Sequence, residues 1–134
     1  MGTRCLTTFG HGEGEIVVLY RQFDGYPEGH GAELAQFLAG STIVNGIGGQ
    51  EGTIFNGMGC LAASVVARFK DGVGGFYLYP AGTRSCGENY LYEVYGEVGQ
   101  EPHIKCSKSY GTKGVLFDGT ASQYLDWLNT PDDE

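Results

Sequence analysis

Short apolar runs separated by glycine-rich turns set the rhythm of this chain. Thr3 to Phe9 reads as a first strand, and Gly10-His11-Gly12-Glu13-Gly14 as a flexible turn into a second strand at Glu15–Tyr20, which predicts an N-terminal β-hairpin. Ile16-Val17-Val18-Leu19-Tyr20 is an uninterrupted, largely β-branched run, the pattern of a strand buried on both faces. The run stops at Arg21-Gln22-Phe23-Asp24, and Asp24-Gly25 followed by Tyr26-Pro27 forces a turn. Glu28-Gly29-His30-Gly31 then leads into a helix over about Gly31 to Ala39, with Leu34, Ala35 and Leu38 on one face and Gly40 as its stop.

From Asn45 to Gly59 the sequence NGIGGQEGTIFNGMG is dense in glycine and ends in the strongest helical pattern of the chain. Met58, Leu61, Ala62, Val65, Val66 and Phe69 recur at the spacing of a helix face packed on a sheet. Asn56 is placed to cap this helix, Arg68 and Lys70 suit its negative end, and Asp71-Gly72 closes it. Strands follow at Phe76–Tyr79, closed by Pro80, at Asn89–Val98, at His103–Lys108 and at Gly114–Phe117. Asp118-Gly119 turns into a last helix whose Thr120-Ala-Ser-Gln123 start has capping-box spacing, with Tyr124, Leu125 and Leu128 as its buried face and Trp127 alongside. Strands in blocks, rather than strict alternation with helices, predict an α+β fold. The expectation is a single domain over residues 1–130, a mostly antiparallel sheet of about six strands with two or three helices packed on one face, and a frayed acidic tail at 131–134.

Composition sharpens this picture in three places. With 24 glycines in 134 residues the chain far exceeds the usual ~7%, yet the glycines have no period and sit between apolar runs, so they mark turns and close backbone approaches. A net charge of −8, from 16 acidic and 8 basic residues, disfavours direct binding to nucleic acid while leaving room for a small anion held by local arginines. No apolar run is long enough to cross a bilayer and no basic-plus-apolar leader opens the chain, so a cytoplasmic location without membrane contact is expected. Cys5, Cys60, Cys86 and Cys106 have neither close pairing nor metal-ligand spacing; they are expected to be free, with Cys60 in the core of its helix.

The inventory for catalysis is thin. His11, His30 and His103 fall in different elements, and no nucleophile elbow, phosphate-loop lysine or dinucleotide fingerprint is present. His11, His30, Asp24 and Glu28 form the one cluster from which a small hydrolase would be built, and the glycines around them promise poor pre-organisation. No catalytic residue, metal or cofactor is assigned. A binding site is the stronger reading. The Gly-rich start of the second helix at Asn56-Gly57-Met58-Gly59 offers unpaired N–H groups and positive dipole to a phosphate. Arg4, Arg21 and Arg84 near strand ends offer guanidinium forks, and Tyr26 or Tyr79 a stacking surface. With Gln22, Asp24 and His30 from the central turn, and Gly57 and Gly59 from the helix start, these are the candidate ligand-binding residues. A second reading takes the acidic row Glu88, Glu93, Glu97 and Glu101 as a phosphate mimic that blocks a host nucleic-acid-binding effector.

Residues 2–4 (GTR), 19–38 (LYRQFDGYPEGHGAELAQFL), 55–63 (FNGMGCLAA) and 74–80 (GGFYLYP) resemble a functionally uncharacterised family of small phage and bacterial proteins. The resemblance covers most of residues 2–80 and fades through the C-terminal strands. It implies a compact stand-alone protein in a phage or mobile-element setting and carries over no catalytic residue. In that setting a counter-defence role is expected, with a nucleotide-like immune signal sequestered in the host cytosol or a host defence protein blocked. A homo-oligomer, most simply a two-fold dimer, is expected from the aromatic residues on both faces of the Asn89–Val98 strand: Tyr90 and Tyr92 on one, Leu91 and Tyr95 on the other.

Overall fold

In a computed structural model, which describes residues 2–10, 14–44, 54–108 and 114–130, the predicted hairpin is present. The turn at His11, the 45–53 part of the Gly-rich stretch and the 131–134 tail lie outside the described residues. Strand β1 (Cys5–Phe9) pairs antiparallel with β2 (Val17–Arg21), Thr7 opposite Leu19 and Cys5 opposite Arg21. After β2 the chain makes a π-helical turn at Pro27–Gly31 before α1 (Ala32–Leu38). The helix expected over about Gly31 to Ala39 is thus present, and its lead-in Pro27–Gly31, expected as a turn, is itself helical. Gly40, at φ +80°, ends α1 as expected, in a conformation that costs glycine nothing.

Two short strands that no periodicity announced, β3 (Thr42–Val44) and β4 (Ile54–Asn56), pair in parallel beside the main sheet. Each is three residues long, too short for alternation to register. The long helix α2 (Gly57–Phe69) follows directly from β4. Then come β5 (Phe76–Pro80), β6 (Tyr90–Tyr95), β7 (His103–Lys108), β8 (Val115–Thr120) and α3 (Ala121–Asn129). The capping box at Thr120 is formed in full: its side chain accepts from the Gln123 N–H while Gln123 answers to the Thr120 N–H.

The six long strands form one sheet in the order β5-β2-β1-β6-β7-β8, antiparallel throughout except at the central β1–β6 pair. This is the expected α+β, mostly antiparallel architecture. Strand alternation gives the sheet two different faces. Cys5, Phe9, Leu19, Tyr92, Val94, Ile104 and Cys106 project to one side, where they share a single buried cluster with residues of all three α-helices. Leu34, Leu38 and Leu61 are fully buried there, each contributing about 1.5–3 kcal/mol by removal from water. Glu101 ties two helix ends together: one carboxylate oxygen accepts from Gly40 N at 2.9 Å and from Ser122 N at 3.0 Å.

The opposite face carries a smaller cluster, Leu6, Val18 and Tyr20, with Leu91 and Cys86 packed on it. Its cover is the connection from β5 to β6. Since β5 and β6 run parallel, residues 81–89 must cross back over β2 and β1. Arg84 anchors this crossing through a two-pronged ion pair with Glu15 at 2.9 and 3.2 Å, and Glu88 accepts the N–H groups of Ser85 and Cys86. One expectation is corrected here: Cys60 is exposed on α2, because position 60 falls on the side of the helix turned away from Leu61 and Val65.

Candidate functional site

The central turn is where sheet and helices are pinned together. Asp24 takes a left-handed conformation (φ 56°), and its carbonyl accepts from the His30 N–H at 2.7 Å, which closes the loop around Gly25 and Pro27. Two buried tyrosines hold that loop. The Tyr92 hydroxyl, from the sheet, donates to Gly25 O at 2.7 Å; the Tyr124 hydroxyl, from α3, donates to Pro27 O at 2.8 Å. Burial pushes both phenols well above their ordinary range, so they remain donors.

Held this way, His30 points inward and is fully buried, between Phe69 and Tyr92 at ring distances of 5.2 and 5.1 Å. Burial first, and the neighbouring Arg21 charge second, push its pKa down to about 3, so the ring is neutral. The tautomer follows from its partners. Arg21 can only donate, so the 3.2 Å contact from Arg21 Nη1 makes Nδ1 the acceptor. Nε2 therefore carries the proton and donates to Thr7 Oγ1 at 2.7 Å. The chain continues outward: Arg21 Nη1 lies 2.9 Å from a carboxylate oxygen of Glu33 in the first turn of α1.

Arg21 is 4% exposed, an unusual burial for a permanent charge. Its guanidinium carbon lies 4.7 Å from the Phe23 ring centre and 5.0 Å from that of Phe76. Its Nε–H is buried and makes no hydrogen bond to any of the described residues. Above it opens a cleft of about 700 Å³, the size of a small-molecule site. Arg21, Phe23 and Phe76 form one wall, and Glu33 comes from α1, Arg68 from the last turn of α2 and Lys70 from just past its end. The lip is the segment Asp71–Gly75, where Gly72, Gly74 and Gly75 all take positive φ near 81° and Val73 stands fully in solvent. Lys70 Nζ donates to the carbonyls of Gly74 and Phe76, both at 3.0 Å, and so fastens the lip to β5. Chemically the cleft offers a buried cation, an exposed Arg68 with no carboxylate partner among the described residues, and phenyl faces for a planar ring.

The residues singled out from the sequence do not come together in one place. Arg21 and Gln22 line the cleft; Asp24, Tyr26 and His30 belong to the pinned turn behind it, with His30 sealed from solvent. Asn56, Gly57 and Gly59 sit at the other end of α2. Phe69 to Gly57 is 13 residues, about 18 Å of helix axis, so the glycine-rich start and Arg21 do not face one ligand. Asn56 makes no side-chain cap there, contrary to expectation, because it ends β4 with backbone angles outside the usual capping geometry. Arg4, Tyr79 and Arg84 lie away from the cleft. The Arg4 side chain lies beside Gly87, Tyr79 packs near Tyr20 on the opposite sheet face at 6.0 Å, and Arg84 is committed to Glu15.

The acidic row is likewise occupied. Glu88 and Glu101 accept backbone N–H groups, Glu93 lies 4.0 Å from Lys105, and β6 ends at Tyr95, before Glu97. Phe23, Glu33, Arg68 and Phe76 were not selected from the sequence. Their convergence rests on β2–β5 register, which sets Arg21 opposite Phe76, a long-range pairing with no local signal. Among the described residues there is no grouping of His, Cys, Asp and Glu suited to a metal ion, and no helix long and apolar enough to cross a membrane. No family model matches this chain, and no curated protein or solved structure matches it.

Proposed function

We propose that this is a non-enzymatic binding protein that captures a small nucleotide-like anion in the Arg21 cleft. The observation that carries the reading is a buried, permanently charged guanidinium at the base of an open cleft, between phenyl rings. A phosphate fits Arg21 and Arg68, since guanidinium forks match its oxygens, and a base or other planar ring fits against the half-exposed Phe23. Capture is favoured over turnover by the state of His30: sealed and neutral, it has no path to a bound ligand's proton. The anion is held by side chains, because the nearby end of α2 is its carbonyl end and opposes negative charge. In the phage setting implied by the resemblance, the ligand would be a nucleotide immune signal held out of solution in the host cytosol.

Calorimetry against nucleoside monophosphates, cyclic dinucleotides and cyclic ADP-ribose isomers tests this. One ligand is expected to bind stoichiometrically and to be recovered intact after denaturation. Arg21→Met should weaken it by about a hundredfold or more, as loss of a charged hydrogen-bonding group does, while Arg84→Met should leave it unchanged. Absence of heat across the panel, or equal binding by Arg21→Met, would overturn the reading.

A further inference from the structure

Arg21 needs a counter-charge, and the way it obtains one bears on how the cleft takes a ligand. A cation this buried is stable only with an anion in contact. The one carboxylate that meets it among the described residues is Glu33, at 2.9 Å. The two partners are unequally placed: the Arg21 side chain is 5% exposed and that of Glu33 46%. Arg21 is fixed by Phe23, Phe76 and His30 and cannot leave. Glu33 is attached through a flexible side chain at the cleft's edge, already half in water, and loses little by turning out. Glu33 lines the same cleft as Arg21, so its carboxylate occupies the position an incoming anion would take.

We infer that Glu33 is an intramolecular stand-in for the ligand's anionic group: it neutralises Arg21 in the empty protein and is displaced by a phosphate when ligand binds. This rests on the Arg21 cleft being the binding site and adds a specificity rule to it. A ligand must supply a better anion than a carboxylate does, so phosphate esters are favoured over carboxylic acids of the same shape. Glu33 is thus a positioning residue that sets affinity by competition and makes no contact with the ligand in the bound state.

The test uses phenyl phosphate, which carries a ring and a phosphate, with benzoate as the carboxylate control. Glu33→Gln removes the competitor and should bind phenyl phosphate about tenfold more tightly than the unmodified protein, the worth of one charged hydrogen bond. The same variant should melt at lower temperature without ligand and recover that loss when sodium phosphate is added, a larger rise than phosphate gives the unmodified protein, where Glu33 competes for Arg21. Glu33→Asp keeps the charge but draws it back from Arg21; it serves as the second variant if Glu33→Gln does not fold, and a several-fold tightening is expected. Equal or weaker binding in the variants, alongside measurable binding by the unmodified protein, overturns the competition and leaves the cleft standing. Absence of phenyl phosphate binding in every form overturns the cleft reading with it. Benzoate bound as tightly as phenyl phosphate by the unmodified protein also overturns the stand-in.

Discussion

The two ends of α2 differ in a way that reverses their prominence in the sequence. At the Gly57 end the chain shows what looks like a ready phosphate cradle, yet among the described residues nothing lies within reach of a side chain at Gly57 or Gly59, and Asn56 makes no side-chain cap. At the Phe69 end, where the sequence shows only the close of a helix, β2, the π-helical turn, α1 and β5 all converge. The result is a buried Arg21–His30–Thr7 chain beneath a cleft. A helix terminus supplies a diffuse partial charge at best, whereas a buried guanidinium supplies a whole one whose direction is set by packing. Glycine density marks where backbone is free to turn. It does not mark where charge is concentrated.

Substitutions at the two ends should separate them sharply. Gly31→Ala at the crowded end is expected to have the largest effect. Its Cβ would overlap the Tyr124 hydroxyl and press on the Tyr92 ring, and neither ring has room to yield because each holds a loop carbonyl. Denaturant melts should show about 3 kcal/mol of lost stability, at the upper end of overpacking costs. A loss below 1 kcal/mol would mean that the turn is less tightly held than described. Tyr124→Phe and Tyr92→Phe should each cost about 1–3 kcal/mol by leaving Pro27 O or Gly25 O without its buried donor. Urea midpoints of the two variants and their double test whether both tyrosines pin one loop, since coupled losses would then fall short of additive.

The pH response probes the buried histidine at the same end. His30 titrates near 6.5 when unfolded and near 3 when folded, so between those values the unfolded chain binds the extra proton. Its contribution is therefore complete above about pH 6.5 and is lost as pH falls toward 3. Stability should drop by roughly 2 kcal/mol from pH 7 to pH 5 on this account. His30→Gln should flatten that slope in denaturant melts at the two pH values, and an unchanged slope would assign it to other groups. The smallest effect belongs to the open end. Gly59→Ala, within α2 and with no described residue within reach of its methyl group, should raise stability by about 0.5–1 kcal/mol through reduced backbone freedom of the unfolded chain, measurable as a higher melting temperature. A loss there would show that the glycine is needed for something the packing does not reveal.

Much of the architecture was readable in advance because it rests on local periodicity. The β1–β2 hairpin, the buried face of α1, the stripe Leu61–Ala62–Val65–Phe69 and the Thr120 capping box all depend on residues within a few positions of one another. The misreadings of β3, β4 and His30 share the opposite property. β3 and β4 exist as a parallel pair whose partners are twelve positions apart, and neither has length enough to show alternation. Cys60 is a different kind of miss: it reads as core from its apolar neighbours, although the 3.6-residue period of the Leu61–Ala62–Val65–Phe69 stripe already places it on the other side of α2. His30 reads as a loop histidine available to a ligand. Asp24 O and the pinned carbonyls of Gly25 and Pro27 rotate it inward instead.

By itself the sequence determined the strand and helix periods, the acidic surface charge and the strand–turn–helix segment from Ile16 to Ala39, since each follows from side-chain type at short spacing. Tertiary structure alone decided that Arg21, five residues from the start of that run, would lie beneath Phe23 and Phe76 with Glu33 as its counter-charge. That arrangement needs the β2–β5 register, with partners more than fifty residues apart, and the docking of two helices on one sheet face. Contacts of that separation are chosen by the free energy of the whole core, which no local pattern encodes.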